Sequence, residues 1–221
     1  MARPREFDIN DATDGAMGIF WRQGFKATNL PDLLGAMGLT RGSFYKAFGD
    51  KENAYLRSLL RYDETIVTET IRALESCESN IASDCLKEMF RSSSDGTIGC
   101  FICNAMVEVA PDNQEVAQLT KSMANRLKQA VLNILVKSNP SFPNTFQHEL
   151  ADIVLHLYFG FQALGKAGSN EADWENRLKI ILAVCNSTNA NPNENDSAGQ
   201  KTLHSNFPFL SSLTPTPCKA D

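Results

Sequence analysis

The sequence predicts an all-α protein, and three observations carry that prediction. Apolar residues recur at helical spacing through most of the first 186 positions. Stretches that alternate apolar and polar at the period of a strand are almost absent. The 13 glycines and nine prolines are modest in number and gather where helices would stop or start.

The first predicted helix runs from about Ile9 to Gln23. Ala12, Ala16, Ile19 and Phe20 share one of its faces, and Gly24 supplies a left-handed stop. The preceding MARPREF reads as a frayed terminus. Phe25 can fold back as a plug beneath the helix end. Thr28 is the expected N-cap of a second helix, with Pro31 in its first turn, Asp32 near the positive end of its dipole, and Leu30, Leu33, Leu34 and Met37 as its buried stripe. Gly38 ends that helix and Thr40 caps a third, in which Phe44 and Phe48, four residues apart, turn inward. Gly49 and Asp50 repeat the stop and the cap, and a long fourth helix leaves from Lys51 into the low seventies.

Further helices are expected over roughly 82 to 93, 99 to 110, 112 to 138, 145 to 166 and 171 to 186, or about nine in all. Asp112 with Glu115 forms a capping-box-like start for the longest. The organisation that follows is a three-helix head over 1–50, a helical body over 51–186 with helix 4 as connector, and an Asn/Ser/Pro-rich tail over 187–221 that lacks the composition to build a core.

Composition is that of an ordinary globular chain, 43% hydrophobic and 21% charged, but its net charge of −5 is unevenly spread. Residues 1–62 hold nine Lys/Arg against seven Asp/Glu, while the remainder holds twelve against nineteen. A locally basic module can bind a polyanion while an acidic body faces away, because the repulsion is screened within a Debye length. The predicted third helix fits that use. With Phe44 and Phe48 turned inward, Thr40, Arg41, Ser43, Tyr45 and Lys46 are left to reach a DNA groove and its flanking phosphates.

The stretches GFKATNL and LLGAMGLTRGSFYKAFGDKE resemble the N-terminal DNA-binding domain of the TetR/AcrR family of bacterial transcriptional regulators over about residues 8–60. GCFICNAMVEVAPDNQEVAQL is similar to a segment of the ligand domain in one branch of that family. The resemblance implies a DNA-binding head joined through helix 4 to a ligand-binding body, and dimerisation through the last two helices. It also implies roles for single residues. Thr28 would hold a phosphate at the start of helix 2, Arg41, Ser43 and Tyr45 would lie in or at the edge of the major groove, and Lys46 and Lys51 would contact backbone phosphates. Ala47 stands where many relatives carry His.

In the body, Phe90, Phe101, Met106, Met123, Tyr158, Phe161 and Trp174 are core residues that together could line an apolar effector pocket, with His156, Gln162 or Glu108 as polar anchors. Residues 150–165 are apolar nearly all round, so the helices at about 145–166 and 171–186, the latter carrying Trp174, Leu178, Ile181, Leu182 and Cys185, are expected to pair with their copies in a homodimer.

The six cysteines are expected as reduced thiols in the cytoplasm, with Cys77, Cys85, Cys185 and Cys218 unpaired. No signal peptide or membrane-spanning run is read. Cys100 and Cys103 form a CxxC whose ordinary reading is a pair of small buried hydrophobes, and whose alternative is a thiol-based redox or electrophile-reactive protein. No second CxxC completes a zinc set, and no phosphate loop, HExxH or nucleophile elbow is present. The expectation is therefore no catalytic residue, no metal and no cofactor. The functional expectation is a ligand-responsive repressor that reads a pseudo-palindromic double-stranded operator.

Overall fold

The computed structural model describes residues 7–90 and 98–168, together with 179, 180 and 183. These residues are helical, with no strand among them, as the sequence predicts. The order is α1 (Ile9–Gln23), α2 (Leu30–Met37), α3 (Arg41–Phe48), α4 (Lys51–Tyr62), a π segment (Asp63–Val67), α5 (Thr68–Glu75), α6 (Ala82–Leu86), a 3₁₀ turn (Lys87–Phe90), α7 (Phe101–Glu108), α8 (Gln114–Ser138) and α9 (Asn144–Lys166). Trp174 and the tail from 187 lie outside the described residues, as does the helix expected over 171–186 except for 179, 180 and 183, which are helical.

Local chemistry explains the helices of the head. Asp8, Asn29, Thr40 and Asp50 accept hydrogen bonds from the first-turn amides of α1 to α4. Each such cap is worth about 1 kcal/mol. Gly38 closes α2 in the left-handed region, at φ 64°. The cap of α2 corrects the sequence reading, since Asn29 takes the position assigned to Thr28. The Thr28 hydroxyl instead donates back to the Gly24 carbonyl at 2.6 Å and is fully buried. A similar one-residue correction holds at α8, where Asn113 rather than Asp112 accepts from the amides of Glu115 and Val116.

The helices close around aromatic and aliphatic contacts. Ala12, Ala16, Ile19 and Phe20 are buried on α1, as expected; on α2 Leu33 and Met37 are buried, while Leu30 and Leu34 are half-exposed. α1 packs against α2 closely enough that a Cβ on Gly15 would stand 2.1 Å from the carbonyl oxygen of Ala36. α1 is also fastened to α4 by the two-pronged Arg61–Asp14 pair, at 2.7 and 3.1 Å. In the body, α8 lies against α9 and α5, and Met123, Leu127, Val131 and Leu135 of α8 are buried, as are Leu150, Val154 and Tyr158 of α9. Lys128 and Asp152 tie α8 to α9 at 2.6 Å.

Two features depart from the sequence expectation. The connector runs without a break from Lys51 to Glu75, as foreseen, but contains the π segment. Tyr62 and Val67 are both buried, five residues apart, whereas Ile66, the position an α-helix would turn inward, is 38% exposed. Arg126 of α8 pairs with Asp63 at this point and reaches the Thr68 hydroxyl at 3.2 Å. The second departure is at the α5–α6 loop, where Cys77 and Cys85 are joined in a disulfide. That corrects the expectation that both are unpaired. Eight residues apart in sequence, they are brought to a Cα separation of 5.5 Å by the chain reversal, within bridging range.

Two outcomes follow. Gly15→Ala should destabilise the head by about 1–3 kcal/mol in urea unfolding, because the obstacle is backbone and cannot rotate away; an unchanged midpoint would show that α1 and α2 separate freely. Reducing the Cys77–Cys85 bond should lower stability by about 2–3 kcal/mol, the entropy of so short a loop, and a Cys77→Ser/Cys85→Ser protein should then be insensitive to reductant.

Candidate nucleic-acid interface

α3 divides into two faces with different chemistry. Phe44 and Phe48 are 1% and 2% exposed, and their rings stack at 5.8 Å. The Arg57 guanidinium sits 5.1 Å from the Phe48 ring, holding α3 against α4. On the other side Thr40, Arg41, Tyr45 and Lys46 are exposed and Ser43 is half-exposed. A Cβ on Gly42 would meet nothing within 4 Å, so this face is open. Arg41 and Lys46 form no ion pair with any described residue, which leaves both charges unspent. Tyr45, 49% exposed, is steadied by an edge contact with Phe44 at 5.4 Å. A rigid helix presenting cations, hydroxyls and one aromatic ring can hydrogen-bond base edges and phosphates together.

The sequence-predicted contacts fall into three groups. Arg41, Ser43, Tyr45 and Lys46 share the outer face of α3, and Thr40 lies at its start, where it accepts from the Ser43 amide at 3.2 Å. Lys51 stands apart at the start of α4, with its ammonium 4.4 Å from the Phe25 ring and its pKa lowered by burial. Thr28 is a correction. With no exposed surface, its side chain meets no phosphate in this conformation, and Asn29, exposed and missed by the sequence reading, occupies the helix start instead. Asn29 accepts from the Asp32 amide at 2.9 Å and donates to the Asp32 carboxylate at 2.8 Å. The signal for it was available, as Asn is an equal or better cap than Thr and directly precedes the Leu-Pro start.

The described residues among those expected to line an effector pocket lie in more than one place. Phe90 meets Tyr158 at 5.7 Å and Phe161 at 5.6 Å, and these rings form one cluster. Phe101 faces the head instead, against Trp21, Tyr55 and Tyr62. Met123 is completely buried, Met106 is half-buried, and His156 is exposed on α9 and anchors nothing inside. A cavity of about 120 Å³ lies elsewhere, at the meeting of head and body, walled in part by Phe25, Tyr55, Glu108 and Val116.

The CxxC has the environment of packed thiols. Cys100 is buried with its sulfur 3.7 Å from the Tyr62 hydroxyl. Burial pushes the Cys100 thiol up, and burial with the neighbouring Cys100 does the same for Cys103. Reactive cysteines need the opposite shift. No group of three or more His, Cys, Asp or Glu among the described residues is placed to hold a metal ion, and no described helix is long and apolar enough to cross a membrane.

Comparison with known proteins agrees with this geometry. Residues 12–55, spanning α1 to the start of α4, match the family described as bacterial regulatory proteins, tetR family. The chain is 32% identical over 126 residues to the HTH-type transcriptional repressor ComR of Escherichia coli (strain K12), a match covering 54% of this chain and 60% of ComR. It is 25% identical over 144 residues to the uncharacterized HTH-type transcriptional regulator YezE of Bacillus subtilis (strain 168), covering 62% of this chain and 73% of YezE. In fold it is similar to a cysteine mutant of the TetR family regulator CifR in complex with 26 bp double-strand operator DNA, with a TM-score of 0.71, 22% identity, and 82% of this chain and 98% of that one covered. The matched head, residues 12–55, is thus similar to that of bacterial regulatory proteins of the tetR family, and the helices that continue it have the fold of the CifR neighbour.

Proposed function

We propose that this chain is a homodimeric, sequence-specific DNA-binding transcriptional regulator of the cytoplasm, a repressor released from its operator by a small-molecule effector. The observation that carries the proposal is the outer face of α3, where Arg41, Tyr45 and Lys46 are exposed opposite the buried Phe44 and Phe48. On this reading residues 1–50 are the DNA-binding domain and 51–186 the ligand and dimerisation body. In a dimer, two copies of α3 about 34 Å apart would enter successive major grooves of a pseudo-palindromic site.

The apolar exposure of α9 supports the dimer. Ile153 and Leu164 are 45% and 50% exposed on a helix whose other side is core, and a second copy would cover them. For the effector side, Phe90, Tyr158 and Phe161 are the members of the expected lining that stand together. An effector acts by favouring a conformation in which the two recognition helices are wrongly spaced, a coupling of typically ~1–3 kcal/mol. Chemistry centred on Cys100 and Cys103 has no comparable support, because both thiols are shifted away from the reactive thiolate.

Selecting duplexes from a random pool with the purified chain should enrich a two-fold symmetric sequence. On that duplex Arg41→Ala should cost about 1–3 kcal/mol and relax specificity at one position, while Lys46→Ala should weaken all duplexes and flatten the salt dependence by about one unit. Fluorescence anisotropy across a salt series reads both, and a protein indifferent to both changes would not be using α3. Leu164→Asp should shift the mass seen by light scattering from dimer to monomer and remove binding to the full site, whereas an unaltered mass would place the dimer contact elsewhere.

A further inference from the structure

The turn between α1 and α2 is held from outside the head. Glu108, at the last turn of α7, accepts the backbone N–H of Phe25 at Oε2, 2.9 Å, and that of Lys26 at Oε1, 2.7 Å. Both carboxylate oxygens are thus used on consecutive amides more than eighty residues away. The contact requires Gly24, since a Cβ there, at φ 86°, would stand 2.6 Å from Glu108 Oε2. The other end of α7 is also tied down. Trp21 Nε1 donates to the Gly99 carbonyl at 2.9 Å, and Gly99 in turn lies so near α9 that a Cβ on it would be 3.0 Å from the Gln162 carbonyl oxygen. α7 is therefore a strut with one end between α1 and α9 and the other on the turn that starts the DNA-binding pair of helices.

We infer that Glu108 is a positioning residue for DNA recognition: by gripping the Phe25 and Lys26 amides it fixes the angle of the head, and so of α3, relative to the body. The inference rests on the regulator reading above and identifies the route by which an effector acting on the body would reach the head. Charge-assisted hydrogen bonds of this kind are stronger than neutral ones and directional, so the clamp transmits displacement of α7 rather than absorbing it. Losing it need not unfold the head. The cavity against Glu108 borders the same turn, and water entering there can satisfy the released amides at the expense of rigidity.

The test uses the full chain, the duplex it selects, and the same duplex with one half-site scrambled. Glu108→Ala should weaken the two-half-site duplex about tenfold, within the range of inter-site coupling, while affinity for the single half-site stays within about twofold. Glu108→Gln, which keeps one acceptor oxygen, should recover part of the loss. By NMR, exchange of the Phe25 and Lys26 amides should quicken about tenfold or more in the alanine variant. Equal losses on both duplexes would make Glu108 a stabiliser of the head and overturn the inference, as would unchanged affinity on the full site. If the alanine variant does not fold, the glutamine variant carries the same comparison. A wild-type chain that selects no duplex defeats the regulator reading. The clamp is then judged by exchange alone, and unprotected Phe25 and Lys26 amides in the wild type would overturn it.

Discussion

The aromatic junction of α1, α4 and α7 is the contact on which the rest of the molecule depends. Tyr55 of α4 meets Phe20 of α1 edge-on at 5.1 Å and Phe101 of α7 at 5.5 Å, while Tyr62, two turns further on, meets Trp21 at 5.0 Å and Phe101 at 5.6 Å. Edge-to-face ring pairs are worth roughly 0.5–1.5 kcal/mol each beyond the area they bury. Their geometry also matters, because interlocked rings fix orientation where aliphatic contacts would allow sliding. Phe25 joins the cluster through Phe20 and Tyr55, so the turn leaving α1 is seated by the same rings. Burial together with the nearby Glu108 charge drives the Tyr55 hydroxyl well above the usual phenol range, so it stays neutral in this apolar setting.

Division of labour within single helices is the second theme. α3 uses one face to stay in place and the other to remain available, and the two phenylalanines make the separation possible. α9 does the same on a larger scale, with Leu150, Val154 and Tyr158 inside and Ile153 and Leu164 outside. A polar outer face suits contact with a hydrated polyanion, and an apolar one suits a second copy of the same surface.

The head was legible in the sequence because its rules are local. The stops at Gly24, Gly38 and Gly49, the caps Thr40 and Asp50 and the four-residue spacing of Phe44 and Phe48 all act within one turn, and the structure follows each of them. The errors at Thr28 and Asp112 have a local cause too, since each sits beside an asparagine equally able to cap, and only packing decides which side chain faces the helix. What could not be read depended on the fold of the chain. The Glu108 contact spans residues with no shared pattern, the Cys77–Cys85 bond needs the reversal of the α5–α6 loop, and the contacts of Phe101 with Trp21, Tyr55 and Tyr62 join residues far apart in the sequence. The helix over 82–93 was foreseen as regular, whereas α6 gives way after Leu86 to a 3₁₀ turn that buries Met89 and Phe90.

The π segment has a consequence for how such a protein can change. One additional residue turns everything beyond it by about 100° around the helix axis. The side of the connector that serves the head and the side that serves the body are thereby out of phase, as the five-residue step from Tyr62 to Val67 records. Side chains along the body's stripe can then change without disturbing the one that seats the head.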